Sequence, residues 1–133
     1  MFHKILLPVD GSEHSEKIIE YVKDIAKQYN SEVTILHIYS DNPIYTMSME
    51  EELKKYSFAV IDKVVKELSK AHVKINSEII RGNAKELIVE TAESGNYNLI
   101  VMGKQGAGKI RNLLIGSVSN YVIHHTRLPV FLV

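Results

Sequence analysis

Apolar residues along this chain alternate between short unbroken runs and longer stretches with helical spacing. Ile5-Leu6-Leu7, joined by Val9, is an unbroken run that Asp10-Gly11 stops. Leu99-Ile100-Val101-Met102 and Val130-Phe131-Leu132-Val133 are further runs of this kind, and Val33 to Tyr39 is a second apolar strand. Continuous apolar runs of strand length are the mark of strands covered on both faces. Between them, Ile18, Ile19, Val22, Ile25, Ala26 and Tyr29 recur at spacings of three and four. This predicts a helix with Ser12 as its N-cap and Asn30-Ser31 as its end. A loop with Pro43 covers Ser40 to Thr46, and a longer helix follows from Ser48 to about Lys70. Its inner face carries Leu53, Ile61, Val64, Val65 and Leu68. Val73, Ile75, Ser77 and Ile79 alternate along a less buried strand, placed at a sheet edge. Arg81-Gly82 turns the chain, and Asn83 with Glu86 opens a third helix in the manner of a capping box. Leu87, Ile88 and Ala92 face inward there, and Gly95-Asn96 ends it. Ser117 to about Thr126 is the last helix and Pro129 to Val133 the last strand.

Strands alternating with helices imply parallel pairing through right-handed crossovers, hence an α/β fold in three layers. The pattern leaves strand order open. The 133 residues suit one domain, with no repeat or linker to divide it. Sixteen basic and sixteen acidic residues cancel, which gives no overall electrostatic case for nucleic acid or a membrane surface as partner. There is no cysteine, which excludes thiolate chemistry and disulfides. No apolar run nears the about 20 residues of a membrane span. Met1-Phe2-His3-Lys4 runs straight into the first strand, too early for a signal peptide, so a cytoplasmic location is expected.

The chemistry concentrates between Leu99 and Arg127. An apolar strand breaks at Gly103 into a loop that also holds Gly106 and Gly108, and Gly116-Ser117 precedes a helix. Glycines after a strand let backbone N–H groups converge on an anion, since no Cβ blocks close approach. A helix starting at Ser117 adds open N–H groups and a positive dipole end. Together these features describe a phosphate site. The plain alternative is a tight loop closed by an N-cap serine. Lys104, Lys109 and Arg111 could screen phosphate charge or merely face solvent.

The spacing Gly103-x2-Gly106-x9-Gly116-Ser117 resembles the glycine signature of the universal stress protein family, in its ATP-binding branch. The resemblance spans the chain, from Pro8-Val9-Asp10-Gly11-Ser12 through Leu36-His37-Ile38 to Leu128-Pro129-Val130-Phe131-Leu132-Val133. It implies five parallel strands ordered 3-2-1-4-5, a Rossmann-like sheet with helices on both faces. Ligands of open α/β sheets bind beyond the carboxyl ends of the strands where the order reverses. In that order the reversal falls between strands one and four, which end at Asp10 and Gly103. The resemblance implies ATP as ligand, accompanied by Mg2+ or Mn2+. Gly103, Gly106, Gly116, Ser117 and Val118 match its ribose- and phosphate-binding positions, and Met102 and Gln105 flank them. Gln105 stands where relatives often carry a basic or histidine side chain. Ile38 matches a position against the adenine. Asp10, with Pro8 and Val9 beside it, matches a ligand contact, and its other role is to cap the turn at Gly11-Ser12.

Other readings fit less well. Gly103-x4-Gly108-Lys109 nearly spells a P-loop, but Ile110 stands where Ser or Thr would hold Mg2+. The six histidines have no metal spacing, and no metal site is assigned. Glu50-Glu51-Glu52 is an acidic helix start. A receiver domain would need an acidic residue and a lysine where Arg81 and Leu132-Val133 stand. A flavodoxin would need a hydroxyl-rich loop where Gly11-Ser12-Glu13-His14 stands. No catalytic residue is assigned. The reading is a regulatory ATP-binding protein of stress response, at most a very slow ATPase, with a slow ATPase or nucleotidyl-transferring enzyme as the alternative. The uncharged edge formed by 129–133 is a liability that a twofold partner would cover, and relatives in the family dimerise there. A homodimer is expected.

Overall fold

The computed structural model describes residues 1–12, 15–104 and 115–133. Gln105, Gly106, Gly108, Lys109, Ile110 and Arg111, and with them the middle of the glycine loop, lie outside the described residues. The elements run β1 (Lys4–Pro8), α1 (Ser15–Tyr29), β2 (Glu32–Tyr39), α2 (Met47–Ser69), β3 (Lys74–Arg81), α3 (Ala84–Ser94), β4 (Leu99–Met102), α4 (Ser117–His125) and β5 (Val130–Leu132). All strand pairs are parallel and the sheet order is β3-β2-β1-β4-β5, the order that the resemblance implies.

Successive side chains of a strand point to opposite faces, so each unbroken run feeds two cores. Ile5, Leu7, Val33, Ile35, Leu99 and Val101 pack with Ile18, Ile19 and Val22 of α1 and Ile61, Val64 and Leu68 of α2. Leu6, Leu36, Ile100 and Met102 pack with Ile88 and Ala92 of α3 and Val122 of α4. This is why β1 and β4 carry no polar position between Ile5 and Leu7 or between Leu99 and Met102. β3 lies at an edge, as its sequence predicts, but its burial does not alternate strictly: Ile75, Ile79 and Ile80 are half-buried and Ser77 is exposed. Leu53, Val65, Ile25 and Tyr29 are half-buried rather than inside, and Ser57 and Val60 join the buried face of α2.

Helix ends follow local chemistry. Asn30, His72 and Asn96 adopt positive φ just past the ends of α1, α2 and α3, a conformation that asparagine tolerates better than most residues. At α3 the Asn83 side chain accepts from Glu86 N at 3.3 Å, the forward half of the expected box. One start differs from the sequence reading: α2 begins at Met47, with Thr46 as its N-cap. The described part of α1 begins at Ser15, and before it Asp10 Oδ1 accepts from Ser12 N at 2.9 Å.

Candidate functional site

β1 and β4 are neighbours, but their connections leave toward opposite faces of the sheet: α1 lies on one and α4 on the other. A crevice opens between the carboxyl ends of these two strands. Beyond Pro8, Val9 N donates to Leu36 O at 2.9 Å and prolongs the pairing of β1 with β2. Gly11 then takes φ +80°. A Cβ there would lie 2.3 Å from the Tyr56 hydroxyl and push it aside, so the conformation demands glycine and a larger residue would also move Tyr56. On the other side, Lys104 N donates to Val133 O at 3.0 Å and Gly116 N to Lys104 O at 2.5 Å. These bonds bring the start of α4 back to the end of β4. The N-cap of α4 is Gly116, and no side chain among the described residues caps it. Ser117 is therefore the first helical residue, and the plain reading of an N-cap serine does not hold. Ser119, one turn in, donates its hydroxyl to Gly103 O at 2.6 Å and fixes the helix start against the strand end.

Around this crevice lies a cavity of about 240 Å³, at the small end of ligand pockets. Pro8, Val9, Asp10, Ile38, Met102, Gly103, Gly116, Ser117 and Val118 all line it. Gln105 and Gly106, named with them from the sequence, lie outside the described residues. Sequence reasoning missed the lining residues Leu7, Ile18, Ile19, Leu36, Ala84, Ile88 and Ser119, and gave Ser12 only a capping role. Leu36, Ile18, Ile19 and Ile88 were legible as core but not as wall. Ala84 follows the Gly82-Asn83 turn at the end of β3, a position that the reversal of strand order does not single out. The floor is apolar, from Leu7, Leu36, Ile38, Ile88 and Met102. Ser12, Ser117, the backbone of Gly103 and Gly116 and the Asp10 side chain are the cavity's more exposed lining, while Ser119 is buried. An apolar slot that ends at a helix start with a glycine N-cap suits a flat base at one end and an anion at the other.

Behind the β1 turn is a polar cluster that the sequence did not announce. His37, buried on β2, has Nδ1 2.8 Å from Ser57 Oγ. The Ser57 hydroxyl donates its proton to Leu53 O at 3.0 Å, so Nδ1–H of the imidazole must be the donor to Ser57. The Tyr56 ring stands edge-on to His37 at 5.9 Å, and its hydroxyl donates to Asp10 O at 3.5 Å. Burial lowers the His37 pKa from 6.5, and the Asp10 charge opposes that shift. The cluster joins β2, α2 and the Asp10 turn, and so supports one wall of the cavity from behind. Among the described residues no group of three or more histidine and carboxylate side chains could hold a metal ion, and no helix is long and apolar enough to cross a membrane.

Comparison with known proteins agrees with this geometry. The family model described as "Universal stress protein family" matches residues 1–133. Universal stress protein MJ0531 of Methanocaldococcus jannaschii is 32% identical over 100% of this chain and 82% of its own length. The solved structure of protein MJ0577 superposes with a TM-score of 0.91 and 30% identity, covering 100% of this chain and 96% of that one. A universal stress protein of Archaeoglobus fulgidus, solved in complex with dAMP, has the same fold, with a TM-score of 0.76 at 20% identity over 99% of this chain and 98% of that one.

Proposed function

Since this chain belongs to the universal stress protein family, we propose that it is a regulatory protein that binds ATP in the crevice between β1 and β4. Its carrying observation is the single cavity on which Asp10, Ile38, Gly103, Gly116, Ser117 and Val118 converge from four elements. In this reading the adenine lies on the apolar floor near Leu36, Ile38 and Ile88. Asp10, whose carboxylate the Ser12 N–H steadies, accepts from the base or the ribose. The phosphates meet the start of α4, where the Ser117 hydroxyl and the first N–H groups favour negative charge. That a relative has been solved with dAMP supports an adenine nucleotide as the ligand class. The divalent cation, Mg2+ or Mn2+, is held chiefly by the phosphates, as Mg2+ commonly is at nucleotide sites. Turnover is absent or far below the about 10 s⁻¹ of a median enzyme. The protein acts as one cytoplasmic domain, paired with a second copy along β5.

A thermal-shift experiment tests the binding. ATP with Mg2+ at about 100 times its dissociation constant stabilises the fold by about 2.7 kcal/mol and raises Tm accordingly. Nucleotide-free protein that shows no shift with millimolar Mg-ATP overturns the proposal. Gly106→Val serves as the control: it should abolish the shift while leaving the unliganded Tm near that of the parent, because added bulk in the glycine loop blocks backbone approach. Mass analysis of nucleotide released from protein purified without added ligand identifies the base and the phosphate number.

A further inference from the structure

The start of α2 is closed by a capping box with an unusual member. Thr46 Oγ1 accepts from Met49 N at 3.2 Å, the usual forward bond. The return bond normally runs from the N-cap N–H to a Glu or Gln side chain at the third helical position. Here that position is Met49, and Thr46 N lies 3.5 Å from its sulfur. A thioether is only a weak acceptor. Met49 is 45% exposed, so a small oxidant can reach it. The first turn also carries Glu50, which pairs with Arg81 at 2.9 Å and ties the helix start to the end of β3.

We propose that Met49 is a site of reversible oxidation to the sulfoxide by a hydroperoxide, and that this oxidation completes the cap of α2. The sulfur lone pair attacks the peroxide, the O–O bond breaks, and one oxygen forms the S=O bond. Sulfur gives up two electrons. The other oxygen leaves as an alcohol, or as water from hydrogen peroxide, and takes up the proton. The product has a definite shape. Met Sδ occupies the place of Gln Cδ, three bonds from Cα, so the sulfoxide oxygen takes the place of Gln Oε1. Oxidised Met49 thus presents the strong acceptor that the box ordinarily takes from Gln. Oxidation of a buried methionine breaks packing, but at this exposed cap it replaces a weak hydrogen bond to sulfur with a stronger one to oxygen.

The experiment treats the full chain with hydrogen peroxide, maps the four methionines by peptide mass, and follows Thr46 amide exchange by NMR. Met47, 83% exposed, should react readily, Met49 should follow, and Met102, at 5% exposure in the cavity, should react last. Thr46 N–H exchange should slow about fivefold on oxidation, as a weak bond to sulfur gives way to a full hydrogen bond. Methionine sulfoxide reductase with dithiothreitol should restore the original rate. Met49→Gln should show the slow rate without peroxide, and Met49→Leu should keep the fast rate with it, while Met47→Leu responds like the parent. The proposal fails if Met49 remains a thioether until Met102 reacts, or if Thr46 exchange is unchanged or faster once Met49 is oxidised.

Discussion

At Gly11 the backbone sits at φ +80°, with the Tyr56 hydroxyl against its Cα. Gly11→Ala should therefore lower stability in urea by at least about 1 kcal/mol, and more if Tyr56 must leave Asp10 O. An unchanged midpoint would mean that the turn relaxes freely. His37 gives a prediction of opposite character. Its pKa in the fold lies below 6.5, while the unfolded chain titrates near 6.5. Between these values the unfolded state holds a proton that the folded state refuses. The contribution of His37 is thus complete above pH 6.5 and falls away as pH drops through the window beneath it. His37→Gln should flatten that part of the stability–pH curve, and NMR titration of the ring should place its midpoint below 6.5. A ring that titrates at or above that value would refute the assignment. Neither residue was singled out by the sequence for these roles. Gly11 read as an ordinary strand stop, and His37 as one of six scattered histidines, because the hydroxyls of Tyr56 and Ser57 reach them only through the packing of α2 on the sheet.

The elements were more legible. β1, β2 and β4 are covered on both faces, so β1 and β4 carry unbroken apolar runs and β2 is interrupted only by the buried Thr34 and His37. Element starts were less so. Thr46 with Met49 does not spell a capping box, since the reciprocal acceptor is a sulfur. The site was legible at Gly103 and Gly116-Ser117, where glycine marks backbone approach, but not at Ala84 or Ser119, which crossovers carry to the cavity. β5 supports a prediction at this scale. It is three residues long, at a sheet edge, with Phe131 37% exposed beside Tyr21 at ring separation 5.4 Å. An apolar edge of this kind invites a twofold antiparallel partner. Light scattering should give twice the 15.1 kDa chain mass for the parent and a lower mass for Val130→Pro, which removes one backbone donor. A monomeric parent at tens of micromolar would rule the dimer out.

Across the whole molecule the sheet is unevenly joined. β2 is matched to β3 over eight residue pairs and to β1 over five, whereas β1 meets β4 over two and β4 meets β5 over three. The narrow seam between β1 and β4 is also the line along which the cavity lies. Its two walls come from distant parts of the chain, Asp10 near the start and Ser117–Ser119 near the end. As the polypeptide leaves the ribosome, β1, β2 and β3 can zip together while the second wall is still unmade. The seam, and any ligand pocket along it, can close only once α4 has been made. A bound nucleotide would then act as a rivet across the narrowest joint of the sheet, fitted after β1, β2 and β3 are standing.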